Sequence, residues 1–268
     1  MTIVTRLLLD RKRGALWWTL GTVLGVASIV GLWPSVKGNG DIEDVVQNLP
    51  AGVRAMFGME DGVGLSSAPG YLHARLFSTV LPIILLIYAI GLGARAIGGA
   101  EEDGMLLLVV IAPVTRRRVA IERIAASTAL LLWLVVVALV TTLALGAAVG
   151  IFVGVSIRRV IVDLVAVTAL ALLYLAIAFA AGASTGRRGP AISVASGIAV
   201  GGYILHGLAA SAKVIQPLRI VSPWWWFLDR NLLVHDPTFL SIGLPLVLAA
   251  AITAFGVVAF ERRDLRFP

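Results

Sequence analysis

Two short patterns in the sequence look like catalytic or cofactor-binding motifs. Residues 182–186 match G-x-S-x-G, the turn that exposes a nucleophilic serine in hydrolases. A hydrolase also needs an acid and a histidine near that serine, and no acid lies between Ser184 and His206. Residues 91–96 match G-x-G-x-x-A, which binds a dinucleotide only between a strand and a helix. We interpret residues 91–96 as a helix-packing element and residues 182–186 as the end of one helix and the start of a tight inner turn, and we predict no catalytic residue.

The sequence also lacks the usual ligands for metals and nucleotides. The three histidines, His73, His206 and His235, are scattered, and no pair has metal-ligand spacing. There is no cysteine and no Walker A pattern. We therefore predict neither a metal nor a nucleotide cofactor on this chain.

The elements that carry these residues are too apolar for a water-soluble protein. Of the 268 residues, 59% are hydrophobic and 14% are charged, and the mean hydropathy is +0.96. A soluble core of this size would still leave a large surface to hydrate, so the excess apolar sequence needs lipid as its solvent. The apolar runs are about twenty residues long and do not alternate, which favours helices over a barrel.

Six transmembrane helices are predicted, and the fold class is therefore an all-α integral membrane protein. The predicted spans are 15–33, 76–97, 125–149, 160–182, 190–210 and 239–260. The first span follows Arg11-Lys12-Arg13 but is too long for a signal peptide, so we interpret it as an uncleaved helix. Residues 15–268 form one six-helix transmembrane domain.

The distribution of basic residues predicts that both ends of the chain are cytoplasmic. With the N-terminus inside, most of the 22 lysines and arginines lie on the inner side, most clearly in the short loop with Arg187 and Arg188. The net charge of +7 could indicate a nucleic-acid partner. We predict no nucleic acid, because the basic residues flank the apolar runs, where membrane topology explains them.

Three segments outside the spans are long enough to matter. Residues 1–14 place Ile3, Val4, Leu7 and Leu8 on one face, which predicts an amphipathic helix on the cytoplasmic membrane surface. The outer loop, about 34–75, includes an apolar piece over 49–58 that suits a short helix. The outer segment, about 211–238, contains three adjacent tryptophans, typical of the interfacial aromatic belt. A ligand-binding aromatic cage is the alternative.

The inner loop between the second and third spans is the most informative segment. Glu101, Glu102 and Asp103 precede an apolar stretch, and acids favour the start of a helix because of its dipole. Pro113 would stop that helix, and Thr115 can cap the next one. We predict a short cytoplasmic helix over about 101–112, which is either an interfacial linker or a docking element for a soluble partner.

This segment resembles the ABC-2 family of export permeases. Members carry a pattern like E-x-G-T-h-x-h-L-h-x-x-P-V-S-R after the second span, where h is apolar. The matching residues are Glu102, Gly104, Leu108, Pro113, Val114, Thr115 and Arg116. Met105 replaces the usual threonine, and residues 106–111 are more apolar than in many members. The resemblance covers nearly the whole chain, including the surface-lying N-terminus, the large outer loop, the lead-in over 91–95 and the Ser222-Pro223-aromatic stretch.

The resemblance implies a transmembrane permease subunit of an ATP-driven exporter in a bacterial cell membrane. The chain would not be an enzyme, because ATP and Mg would bind a separate soluble ABC ATPase. The residues implied in ATPase coupling are Glu101, Glu102, Gly104, Met105, Leu108, Pro113, Thr115 and Arg116. A second permease copy or a sister permease would complete the transporter.

The resemblance also implies where the substrate would pass and what it would be. The pathway would run between the two halves, lined chiefly by the second and fifth spans. Their apolar faces would suit a hydrophobic or amphipathic compound such as a drug, an antibiotic or a lipid, and membrane lipid would surround the chain.

Other functions remain open from the sequence. An ion-coupled carrier or channel would act without an ATPase, but such proteins usually place an ionisable residue at membrane depth. The middles of the six spans contain no Asp, Glu, Lys or Arg, and Asp163 lies near an outer boundary. A membrane-embedded enzyme would need a convergent catalytic set, and a structural or regulatory protein would stimulate no partner ATPase.

Overall fold

The computed structural model describes residues 12–38, 48–60, 62–106 and 115–264. Within these ranges the chain is helical and has no β-strand. The predicted surface helix over 1–14 lies almost entirely outside the described residues. Leu108 and Pro113 of the predicted coupling helix also lie outside them.

Six helices in the described part of the chain are long and apolar enough to cross a membrane. They are α1 (Arg13–Val36), α2 (Ala68–Glu102), α3 (Arg116–Ala148), α4 (Ile157–Thr185), α5 (Arg188–Ser211) and α6 (Phe239–Arg262). Each coincides with one predicted span. For the described residues, the prediction of a helical chain with six helices long and apolar enough to span a membrane is therefore confirmed.

The helices extend beyond the predicted spans where local capping signals allow it. The α2 helix begins at Ala68, within the predicted outer loop, because the Ser67 hydroxyl accepts a hydrogen bond from the Gly70 amide at 3.2 Å. The α3 helix begins at Arg116, and the Thr115 hydroxyl accepts one from the Arg118 amide at 3.4 Å. The predicted Thr115 cap is thus confirmed. Hydropathy alone misses these ends because they are polar.

The α4 helix lies at the centre of the bundle and packs against α2, α3, α5 and α6. In its most apolar stretch 72% of the residues are buried, against 17% for α1, which packs mainly on α3. Glycines allow the closest approaches. A Cβ at Gly93 of α2 would lie 3.0 Å from the Phe179 nitrogen, and one at Gly256 of α6 would lie 2.9 Å from the Ala180 Cα.

Two stretches of π-helix interrupt the α-helical geometry of α2. They cover Leu72–Val80 and Arg95–Gly99, on either side of the α-helical Leu81–Ala94. In the first stretch the Thr79 hydroxyl donates to the Ala74 carbonyl at 2.8 Å, five residues earlier. Such widened turns are rare and frequently lie at functional sites.

One end of the bundle gathers the end of α2, the start of α3, the end of α4, the start of α5 and the end of α6. We call it the inner end, because the basic residues predict it to be cytoplasmic. Gly14 in α1 lines a cavity there together with Arg95 and Arg188. The first and last described residues therefore lie at the same end of the bundle, as six spans require.

At the opposite, outer end, two short helices pack onto α5. The outer-loop helix, Ala51–Met56, confirms the predicted short helix, and the Tyr203 hydroxyl donates to the Met56 carbonyl at 3.0 Å. The tryptophan helix, Pro223–Leu228, buries Trp224, whose ring N–H donates to the Ala199 carbonyl at 2.8 Å. Trp224 is therefore a packing residue, and only Trp225 and Trp226 keep exposed ring area.

Candidate coupling site

A buried ion pair closes the inner end of α2. Glu101 is only 8% exposed, although it ends a helix that leads to a loop. Its carboxylate accepts two hydrogen bonds from the Arg263 guanidinium, one from Nη1 at 3.0 Å and a second from Nη2. Paired hydrogen bonds of this kind fix both the distance and the orientation of the two groups.

Arg263 also binds two other helices. Its Nε–H donates to the Ala183 carbonyl of α4 at 3.1 Å, and its own carbonyl accepts a hydrogen bond from Nη1 of Arg116 at 2.8 Å. We call Glu101, Arg116, Ala183 and Arg263 the Arg263 cluster. This cluster joins the inner ends of α2, α3, α4 and α6.

Gly186 leaves the space that the Arg263 cluster occupies. It ends α4 in the left-handed region with φ of +67°, where glycine is favoured. A Cβ at this position would lie 2.5 Å from Nη1 of Arg263 and 2.8 Å from Oε1 of Glu101. Ser184 donates to the Ala180 carbonyl within the last turn of α4, so this G-x-S-x-G segment is a helix end rather than a nucleophile elbow.

The structure corrects the predicted start of the coupling helix. The sequence predicts that Glu101, Glu102 and Asp103 begin that helix, whereas Glu101 and Glu102 form the last turn of α2. Carboxylates at a helix C-terminus are unfavourable with respect to its dipole. For Glu101 the nearby Arg263 guanidinium offsets this cost. A prediction from the helix dipole alone takes no account of such a tertiary partner.

The chain turns at Gly104 after the end of α2. Gly104 has φ of +69°, and its amide donates to the Glu101 carbonyl at 3.0 Å. Glu102 and Met105 are exposed beside this turn, with Met105 45% exposed, while the next residue, Leu106, is buried. Two of the predicted coupling residues therefore face outward at the inner end.

The remaining described coupling residues lie at the start of α3. Thr115 is exposed, and Arg116 is half-buried because its guanidinium reaches into the Arg263 cluster. Two turns further on, Arg123 is 5% exposed and donates from Nη1 to the Ala96 carbonyl of α2 at 3.1 Å. The structure thus joins Glu101 and Arg116, which the sequence placed in one loop, through a residue from the far end of the chain.

A second buried polar pair lies at the outer end, where sequence reasoning found only scattered residues. His73 of α2 and Asp163 of α4 are both 0% exposed, and Nδ1 of His73 lies 2.9 Å from Oδ2 of Asp163. The second ring nitrogen of His73 and the other Asp163 oxygen have no hydrogen-bond partner among the described residues. The pair is separated by 90 positions, so no local spacing could have indicated it.

A second ion pair at the outer end is largely exposed. Nε2 of His235 lies 2.9 Å from Oε1 of Glu60, and it joins the outer loop to the segment before α6. No group of three or more His, Cys, Asp or Glu side chains in the described ranges could hold a metal ion.

Comparisons with known proteins give no further assignment. The chain has no significant match among protein-family models, curated proteins or solved structures.

Proposed function

We propose that this chain is the transmembrane permease subunit of an ATP-driven exporter in a bacterial cell membrane. The observation that carries the proposal is the Arg263 cluster. It joins four helix ends at the point where the chain enters the segment that resembles an ATPase-coupling helix. A movement of that segment would therefore be transmitted to α2, α3, α4 and α6 together.

The proposed partner is a soluble ABC ATPase on the cytoplasmic side, which would bind ATP and Mg. Glu102 and Met105 are exposed next to the Gly104 turn and offer one charged and one apolar contact. The coupling helix would begin after this turn and end at Pro113, and the amphipathic N-terminus would lie on the same membrane surface. The excess of Lys and Arg at the inner end supports the cytoplasmic orientation.

The proposed pathway runs along the faces of α2 and α5. Near the outer end, a cavity of about 280 Å³ lies between these helices, with Pro82 and Leu86 on one side and Val200 and Tyr203 on the other. Its walls are mostly apolar, which favours a hydrophobic or amphipathic substrate.

A second permease copy, or a sister permease, would complete the pathway. On α5, Gly197 and Gly201 are exposed, and a Cβ at either would meet nothing within 4 Å. Small residues four apart allow a second helix to approach closely in lipid. This face of α5 is therefore the proposed contact between the two halves.

An ion-coupled carrier is the second candidate, and the His73–Asp163 pair is the observation that favours it. Buried ionisable groups in a transmembrane bundle are often parts of ion or proton pathways. Both side chains are fully enclosed by protein, however, and neither lines the cavity between α2 and α5.

The decisive experiment is purification from the native host in mild detergent, followed by mass spectrometry and reconstitution. We expect a P-loop ATPase in roughly equal amount, and transport of an amphipathic compound that requires ATP hydrolysis. Transport by the chain alone, driven by an ion gradient, would favour the carrier instead.

The coupling site has a sharper test in the same reconstituted complex. Glu102→Ala should weaken ATPase binding by about tenfold, because an exposed charged group would lose its partner across the interface. Gly104→Ala should lower transport per ATP hydrolysed, because alanine strains a turn with φ of +69°. Both variants should still insert into the membrane. Glu261→Ala removes another exposed inner acid, at the end of α6, and should behave as wild type.

A further inference from the structure

A cavity of about 490 Å³ opens at the inner end between α1, α2 and α5. It adjoins the smaller cavity between α2 and α5, and Ile87, Ile90 and Ser196 line both. Residues of three helices line it, and the lining contains two arginines and no acidic residue.

The two arginines, Arg95 of α2 and Arg188 of α5, meet beside Gly99. A Cβ at Gly99 would lie 3.4 Å from Cγ of Arg95 and 3.8 Å from Cδ of Arg188. Neither side chain forms a salt bridge with a described residue, and Nε of Arg188 is buried without a hydrogen-bond partner among them. Two arginines that line one cavity, with no carboxylate paired to either among the described residues, favour an anion.

The backbone adds to the positive potential at this point. Arg188 is the first residue of α5, so the amides of the first turn and the positive end of the helix dipole lie next to the cavity mouth. Arg95 begins the π-helical stretch of α2, one turn after Gly91. Gly91 lines the cavity, and a Cβ there would meet nothing within 4 Å, so a larger side chain at this position would extend into the space next to Arg95 and Arg188.

The rest of the cavity is apolar and aromatic. Trp18 of α1 and Tyr88 of α2 pack against each other with ring centroids 5.0 Å apart, and both line the cavity. Ile87, Ile90 and Ile192 complete a surface that fits an aliphatic chain or a ring system. The volume is within the range of ligand pockets.

We propose that this cavity binds an anionic amphiphile, with a carboxylate or phosphate against Arg95 and Arg188 and an apolar body against Trp18 and Tyr88. This inference rests on the proposed transport function and narrows its substrate class. The ligand chemistry is shared by a transported single-chain acid and by an anionic membrane lipid, and the experiment below separates these two sources.

The test uses the full chain in nanodiscs of phosphatidylcholine and a photoactivatable analogue of hexadecanoate. Labelled peptides are located by mass spectrometry, and labelling is competed with hexadecanoate, hexadecyl phosphate, hexadecanol and hexadecyltrimethylammonium. We expect labels on the peptides that contain Trp18 and Ile192. The two anions should compete at concentrations about tenfold lower than the alcohol does, and the cation should compete worst.

The test variant combines Arg95→Gln and Arg188→Gln in one protein. The control variant is Arg262→Gln. Arg262 is an exposed arginine at the same end of the bundle, so its loss changes the net charge but not the cavity. The double variant should lose the preference for anions by about tenfold or more, and the control should keep it. Equal competition by acid and alcohol in the wild type, or unchanged labelling in the double variant, would overturn the proposal.

A further arm identifies the source of the ligand. Replacing part of the phosphatidylcholine with phosphatidylglycerol should abolish labelling if an anionic lipid occupies the cavity, and should leave it unchanged if the site selects single-chain acids. None of these measurements needs an ATPase. A failure of anion binding would therefore leave the proposed transport function untouched, and failure to recover an ATPase would leave the binding result intact.

Discussion

The two ends of the helix bundle are held together by different kinds of contact. At the inner end the guanidinium of Arg263 binds a carboxylate and a carbonyl of two other helices, and every one of these bonds involves a charged group. At the outer end, aromatic residues donate neutral hydrogen bonds to backbone carbonyls, as at Trp224 and Tyr203, and the ion pairs His73–Asp163 and His235–Glu60 each join only two segments. The outer end thus combines apolar packing with separate pairwise contacts, whereas at the inner end one arginine joins four helix ends.

Because of this difference, movement would be transmitted between helices mainly at the inner end. Charged, directional bonds hold four helix ends in one geometry, so a force at one of them is shared by all. Apolar packing at the outer end is less directional and tolerates small sliding of one helix along another. We would expect this contrast if the proposed transporter is driven from its inner end.

The largest effect is expected for Arg263→Ala. The substitution removes the Arg263 guanidinium from the buried Glu101 carboxylate, and breaking a buried ion pair costs about 3–5 kcal/mol. The free energy of unfolding in detergent, followed by thermal melting, should fall by that amount. Arg262→Ala, one residue earlier and exposed, should change it by less than about 0.5 kcal/mol. Equal melting temperatures for Arg263→Ala and the wild type would show that the Arg263 cluster does not hold the four helix ends together.

An intermediate effect is expected for Gly186→Ala. Alanine at φ of +67° is strained by about 1–2 kcal/mol, and its Cβ would also collide with the Glu101–Arg263 pair. Together these should lower the free energy of unfolding by about 2–4 kcal/mol. Gly150→Ala is the matched control, because Gly150 has φ of +68° and open space around it, and it should show the strain alone. Equal losses for both would show that the cluster tolerates the extra carbon.

The smallest effect is expected for Trp224→Phe at the outer end. A smaller aromatic ring remains, but the hydrogen bond to the Ala199 carbonyl and part of the buried indole contact are lost, which should lower the free energy of unfolding by about 1–2 kcal/mol. Trp17→Phe, at a position that is 73% exposed, should have no effect. A loss for Trp224→Phe as large as that for Arg263→Ala would erase the distinction between the two ends.

Sequence reasoning located the helices well because their signals are local. Apolar runs of about twenty residues fix the spans, and the Thr115 cap depends on a residue only three positions away. Hydropathy predicts the start of α2 at residue 76, several residues too late. Ser67 caps the helix, but the first helical residues, Ala68 and Pro69, add little to the hydropathy.

The site was less predictable because its partners are distant in sequence. Glu101 and Arg263 are 162 positions apart, and a single sequence contains no signal that pairs them. The same holds for His73 and Asp163. Without that partner, the acids before the apolar stretch looked like a helix start, and only the tertiary structure shows that Glu101 belongs to the preceding helix.

The π-helical turn over Arg95–Gly99 sets the angular register of the end of α2. Each residue in an α-helix advances the side-chain direction by roughly 100°, so one residue more or fewer in this turn would rotate Glu101 by about that angle. The carboxylate would then point away from Arg263, while Arg95, the first residue of the turn, would keep its direction towards the cavity. The widened turn therefore sets the relative orientation of two side chains on one helix, so that Arg95 lines the cavity while Glu101 binds Arg263.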